Sequence, residues 1–303
     1  MTIDVPIIDA HHHLTRLALG YPWLGSDAPT DRYHGDDRAL RRDYAPADYR
    51  ADVGNLPVVG SVHIENGAAD PLAEARWIGE VIATHCPVPA VHVARADLSA
   101  QGVGELLDEF GDMPHVRGIR HILNWHSDHR WTHTDRPHIM TEPTWVRAFA
   151  TLAPRGLSFD LQVFASQLPE ATRLASAHPD TVIVLDHAGM PTSRDPEVLR
   201  TWRTDLAALA RCENVSVKLS AMGTTDHRWT VASLRDVIAP TIEIFGPDRV
   251  MFGSNFPVDS LYSTLADLYA AFDESTAEFS PTERRAMFGG TAARVYAIPL
   301  AAA

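Results

Sequence analysis

The chain has 303 residues, 45% of them hydrophobic and 21% charged, enough for one large domain whose core needs no disulfides. Lysine and arginine total 26 against 39 acidic residues, and the net charge of −13 argues against nucleic acid and anionic membranes as partners. Cys86 and Cys212 make neither a metal pair nor a disulfide framework, no apolar run reaches ~18 residues, and no basic stretch leads into an apolar one at the N-terminus, so a cytoplasmic protein is expected.

The first strand signal is "VPIID" (5–9), which runs into His11, His12 and His13 and then into a long connection, 14–50. "VVGSVHI" (58–64) reads as the second strand, ending at Glu65, and an amphipathic helix is predicted over 70–85. Strands follow at 88–93 and 116–122, the latter carrying Arg120 and His121 and leading into a histidine-rich connection, 123–141, with His126, His129, His133 and His138. A helix over 142–156 precedes a strand over 157–164 that carries Asp160 and Gln162. Then come a helix over 167–179, a strand over 181–186 ending in Asp186 and His187, and a helix over 195–212. The last strands, 215–220 with Lys218 and Ser220 and 249–254 leading to Asn255 and Asp259, flank a helix over 230–246. Several of these helices open on Asp, Thr or Gln near a Pro or Glu, as helix starts do.

Eight strands alternating with helices predict parallel strands joined by crossovers, and the number eight favours a closed (β/α)8 TIM barrel, a single domain over 1–303 with its long loops over the C-terminal mouth. An open doubly wound sheet would alternate in the same way, but no glycine-rich phosphate turn follows the first strand.

In such a barrel the strand ends share one mouth. His11 and His13 alternate with His12 and so point the same way, and Asp9 falls on their face. With His187 from across the barrel, they form a candidate set for one divalent ion, zinc or manganese, with Glu65 as the anionic ligand. Each of these residues has an ordinary alternative: a hydrogen-bonded strand-end histidine or barrel carboxylate. Lys218 lies opposite Val215 and Val217 in the strand alternation. If that puts it in the lumen, it needs a carboxylate partner.

"IIDAHHHL", "VLDHAGMP" and "RVMFGSNFPVD" together resemble the amidohydrolase superfamily, and within it the TIM-barrel branch that holds sugar lactonases and the pyrone-dicarboxylate lactonase. "VHIEN", "VRGIRHIL" and "VSVKLS" add to the likeness, which runs from about residue 5 to 298. The resemblance implies a hydrolytic site at the barrel mouth, with His11 and His13 as the first-strand pair and His187 as the sixth-strand histidine. Some members bind one divalent metal there and others work without it. This chain departs from the pattern at Asn255, where most members have aspartate, and in carrying no histidine at the end of the fifth strand. An amide is neither a base nor an anionic ligand, so Asp186 and Asp259 become the candidate bases.

The expected function is hydrolysis of a small lactone or related ester or amide by activated water. Asp186 and His187 would handle the proton, Asn255 would stand at the mouth, and Arg120 and Lys218 would hold the oxyanion or a substrate carboxylate. The alternatives are non-oxidative decarboxylation of an aromatic acid and a non-catalytic ligand-binding barrel. The expected partner is a small molecule, and homo-oligomerisation stays open.

Overall fold

The computed structural model describes residues 3–86 and 88–298. Eight strands, β1 (Ile7–His12), β2 (Val58–Ile64), β3 (Ala90–Arg95), β4 (Val116–Ile122), β5 (Ser158–Gln162), β6 (Ile183–Leu185), β7 (Val215–Leu219) and β8 (Val250–Phe252), pair in chain order, each parallel to the next. Helices α1 (Pro46–Val53), α2 (Pro71–His85), α3 (Val103–Gly111), α4 (Pro143–Phe149), α5 (Leu168–Ala177), α6 (Pro196–Leu209), α7 (Met222–Thr225), α8 (Val231–Phe245), α9 (Leu265–Ser275), α10 (Pro281–Arg285) and α11 (Thr291–Val295) complete the (β/α)8 barrel. Local chemistry starts the helices where the sequence predicts. Asp70 accepts from the backbone N–H groups of Leu72 and Ala73 ahead of α2, Asp195 from Glu197 ahead of α6, and Thr230 from Ser233 ahead of α8. Proline at the first helical turn supports α2, α4 and α6. Among the described residues, no helix is long and apolar enough to cross a membrane.

The barrel closes just past β8 rather than along it. The Asn255 N–H donates to His11 O and the His13 N–H to Phe256 O, both at 2.7 Å. Gly253 permits this approach, because a Cβ there would lie 2.6 Å from His11 Cβ and 2.8 Å from its backbone nitrogen. The histidines of β1 are thereby bonded to the segment that carries Asn255.

Strand alternation sorts the side chains. Ile8, Ala10, Val62, Ile64, Val91, Val93, Val184 and Met251 pack in the lumen against Tyr296 and Ile298, which form an apolar floor. Ile183, Leu185, Val215, Val217, Leu219 and Phe252 face outward into the layer beneath the helices. The same parity brings Asp160, Gln162, Lys218 and Ser220 inside. One expectation fails at β1: Asp9 does not share the face of His11 and His13. Between the pairs Asp9–Ser61 and His12–His63, β1 advances three residues while β2 advances two. That extra residue is a bulge, and it reverses the parity. Asp9 therefore turns outward and accepts from the Tyr49 hydroxyl at 2.8 Å and from the Ser254 N–H and hydroxyl, each at 2.7 Å.

The strand boundaries also differ from the periodicity reading. β1 starts and ends later than predicted and takes in His11 and His12, and β3 is displaced by two residues. Ladder pairing sets these ends, and hydropathy does not report it. The two long connections meet over the mouth: the Tyr33 N–H donates to Arg130 O, and the Tyr33 ring stacks on Trp131 with centroids 5.0 Å apart.

Candidate active site

Two tiers of polar side chains fill the lumen above the apolar floor. The lower tier is sealed from solvent. Lys218 reaches in from β7, its ammonium 2.5 Å from Asp160 Oδ2 and 3.4 Å from Asp186 Oδ1. Tyr296 donates to Asp160 from below, and His11 Nδ1 lies 3.5 Å from Asp186 Oδ1 and from Lys218 Nζ. A lone ammonium here would carry a desolvation cost of several kcal/mol, which the two carboxylates offset. Burial pushes Asp160 up to about 6 despite the pull of Lys218. Burial opposes ionisation of Asp186 too, but Lys218 and His11 hold it well below the usual carboxylate range. Near pH 7 both carboxylates are thus ionised, Asp186 by the wider margin. Lys218, expected to touch substrate beside Arg120, does not border the cavity. A cation this deep serves the carboxylates instead.

The upper tier opens on a cavity of about 170 Å³, bordered by His13, His187, Arg120, Gln162 and Asn255. This is more than ten times the space one water needs, and it is below the range for drug-sized ligands. His187 sits on a tight turn after β6 in which His187, Ala188 and Met190 all take positive φ, at 57°, 54° and 45°. Trp202 of α6 secures the turn by donating from Nε1 to Ala188 O at 2.8 Å. His187 Nδ1 hydrogen-bonds Ser220 Oγ at 2.8 Å. Burial pushes His187 down to about 3 although Asp186 pulls the other way, so the ring is neutral near pH 7.

His13 Nδ1 donates to Ile64 O at 2.9 Å, since a carbonyl can only accept. Its Nε2 lies 3.2 Å from Asn255 Oδ1, and Asn255 Nδ2 donates to Asp259 Oδ1 at 3.1 Å. Burial, reinforced by Arg120, pushes His13 down to about 4. Asp259, weighed from the sequence as a base, stands behind Asn255, with burial raising it to about 7. The amide that replaces the usual aspartate thus stands between an imidazole and a buried acid, and donates to the acid.

Glu65 is committed elsewhere than to a metal. Its Oε1 accepts from Arg120 Nε at 2.7 Å and its Oε2 from the Gly67 N–H at 2.7 Å. Arg120 also donates to Gln162 Oε1 and Glu65 O, which uses three of its five N–H groups. The remaining two belong to a guanidinium that borders the cavity. Among the described residues, those that come within 4.8 Å of one another as potential ligands are His11, Asp186 and His187. His11 Nε2 and Asp186 Oδ2 are buried with neither a hydrogen bond nor an ion pair, and with His187 they make an N/O donor set of the kind that takes zinc or manganese. Of the ligands expected from sequence, His11 and His187 join this group. His13 borders the cavity nearby, and Glu65 is held by Arg120.

The upper wall comes from loops. Trp23, Arg32, Tyr33 and His34 arrive from the first connection and His133 from the histidine-rich one, while His129 and His138 face solvent. Strand-end reasoning could not select these residues. Their only signal was membership of two long segments that follow barrel strands.

The amidohydrolase family model matches residues 8–298. The uncharacterised protein y4mH of Sinorhizobium fredii is 38% identical over 298 residues, covering 97% of this chain and 99% of its own. An L-fucono-1,5-lactonase of Burkholderia multivorans is 31% identical over 307 residues, covering 96% of each chain. The crystal structure of a B. multivorans amidohydrolase with bound zinc superposes with a TM-score of 0.81 at 28% identity, covering 97% of this chain and 100% of that one.

Proposed function

The chain belongs to the amidohydrolase family, and from that premise we propose that it opens the ring of a small lactone by attack of water on the carbonyl. The observation that carries the reading is His187, a neutral imidazole on the cavity wall whose Nδ1 is tied to Ser220, next to the ionised Asp186. With Nδ1–H donating to Ser220, Nε2 holds a lone pair. It takes a proton from water as the water oxygen bonds to the lactone carbon. Asp186 offsets the imidazolium charge that results. The two uncommitted N–H groups of Arg120 receive the negative charge forming on the carbonyl oxygen, and one such donor is typically worth 10²–10³-fold in rate. The ring C–O bond then breaks, and the leaving oxygen recovers the proton from Nε2. The bond from His13 Nδ1–H to Ile64 O holds His13 in place beside this centre.

When a divalent ion is held by His11, Asp186 and His187, it supplies carbonyl polarisation and a water whose pKa falls from 15.7 towards ~7. Lys218, 3.4 Å from Asp186, repels a cation at that position, so loose binding is expected.

A pH-stat assay over a panel of aldonolactones, including L-fucono-1,5-lactone, tests the reading. Wild type should turn over at least one lactone, and His187→Asn should lose about 10²-fold or more in kcat/KM. A variant that keeps more than about a tenth of wild-type turnover would remove His187 from the mechanism. Loss of activity on chelation, restored by zinc, assigns the metal route, and indifference to chelator assigns the imidazole alone. Carbon dioxide released from aromatic acids, with every lactone inert, would replace the proposal with decarboxylation. Thermal-shift binding without turnover of any kind would leave a ligand-binding barrel.

A further inference from the structure

The cavity differs from the rest of the molecule in charge. The chain carries 39 acidic residues against 26 basic ones, yet two arginines and four histidines border the cavity and no carboxylate does. One of the arginines is already explained: Arg120 is paired with Glu65. The other is Arg32. On the same loop, Arg38, Arg41 and Arg42 are paired with Asp36, Asp37 and Asp48. Arg32 is half-buried in the cavity wall, and among the described residues its guanidinium has no hydrogen bond or ion pair. It is not simply a loose surface side chain. The next residue, Tyr33, is hydrogen-bonded to Arg130 and stacked on Trp131, which fixes this part of the loop against the histidine-rich one.

We infer that the substrate is a lactone bearing a carboxylate, and that Arg32, on the loop that roofs the cavity, is the residue that binds it. A guanidinium presents paired N–H donors that match a carboxylate, and in a confined cavity such a pair is stronger than in water. An arginine held part-way out of water without a counter-charge fits a site completed by its ligand. The positive field is also felt locally: His34, Arg32 and Arg120 all favour the neutral form of His133. Arg120 is left to face the reacting carbonyl while Arg32 takes the anion. The inference rests on the lactonase reading and narrows its substrate class.

The test compares two lactones of one ring size, an aldono-1,5-lactone and its counterpart with the terminal CH2OH oxidised to carboxylate. Wild type should favour the anionic lactone by about tenfold or more in kcat/KM. Arg32→Gln should shrink that preference by about 10- to 100-fold, chiefly through KM, and Arg32→Lys should keep part of it. A wild-type ratio near one, or a ratio unchanged in Arg32→Gln, overturns the inference while lactone hydrolysis stands. If neither lactone is turned over, thermal shift with the ring-opened dicarboxylate separates the two ideas. A rise in Tm for wild type that is absent in Arg32→Gln keeps the anion site, and the lactonase reading then stands or falls on the wider aldonolactone panel. No rise in wild type overturns the anion site. Among the described residues Arg32 has no hydrogen-bond or ion-pair partner to lose, so its variants should unfold within a few degrees of wild type, and circular dichroism melts check this.

Discussion

Lys218 shows how depth decides what a charged residue does. The strand alternation set it opposite Val215 and Val217 without fixing which side is the lumen, and a lumenal cation near the mouth invites a substrate-binding role. The structure buries it completely between Asp160 and Asp186. Removing the ammonium leaves two buried carboxylates facing each other. Lys218→Met should therefore cost about 3–5 kcal/mol in urea unfolding, and Lys218→Met with Asp160→Asn should recover part of it. A single variant as stable as wild type would mean that the carboxylates are not both charged. Asn255 makes the complementary point. An aspartate there would stand within hydrogen-bond distance of buried Asp259, whereas the amide donates to Asp259 through Nδ2.

At the scale of the element, the turn after β6 stores the strain that aims His187. Three non-glycine residues in the left-handed region each cost about 1–2 kcal/mol. The surrounding packing must hold them there, and the bond from Trp202 to Ala188 O is the evident clamp. Trp202→Phe leaves that buried carbonyl unpaired, a loss of about 1–3 kcal/mol. It should lower kcat more than it raises KM, because it releases the imidazole and leaves the arginines in place. Unchanged kcat with a reduced Tm would show that the clamp supports the fold and not the site. The bulge in β1 is the second such device. It sends Asp9 outward to hold Ser254 while His11 and His13 stay inward, so closure of the barrel and placement of the histidines depend on one extra residue.

At the scale of the whole molecule, the number of buried imidazoles sets the response to acid. Outside the lumen, His63 Nδ1 lies 3.0 Å from His92 Nδ1, and burial lowers both rings, His92 to about 3. A histidine near 6.5 when unfolded and about 3 when folded binds a proton more readily in the unfolded chain. Its effect is therefore nil above pH 6.5 and grows more destabilising as pH falls, at roughly 1.4 kcal/mol per pH unit, down to about pH 3. Glu74 and Asp259, raised by burial to about 8 and about 7, act in the opposite direction, so the net slope is a difference. His92→Leu isolates one contribution. Its stability measured at pH 7.5, 6 and 5 should fall less steeply than that of wild type by about 1.4 kcal/mol per unit below pH 6.5. Parallel profiles would show that His92 is not held neutral.

The sequence by itself determined the barrel, because strand and helix periods are written in local hydropathy and eight repeats of them leave few closed solutions. It also determined that His13, His187, Arg120 and Asn255 meet at one mouth with His11 beneath them, since strand ends in a parallel barrel converge whatever the loops do. Tertiary structure alone decided which of these groups are free. Glu65 went to Arg120, Asp186 took the place beside His11 and His187, Lys218 sank beneath them, and Arg32 came in from a loop. The physical reason is that hydrogen-bond partnership and depth below solvent arise between distant segments, and a bulge of one residue is enough to reverse a face that local alternation alone would assign.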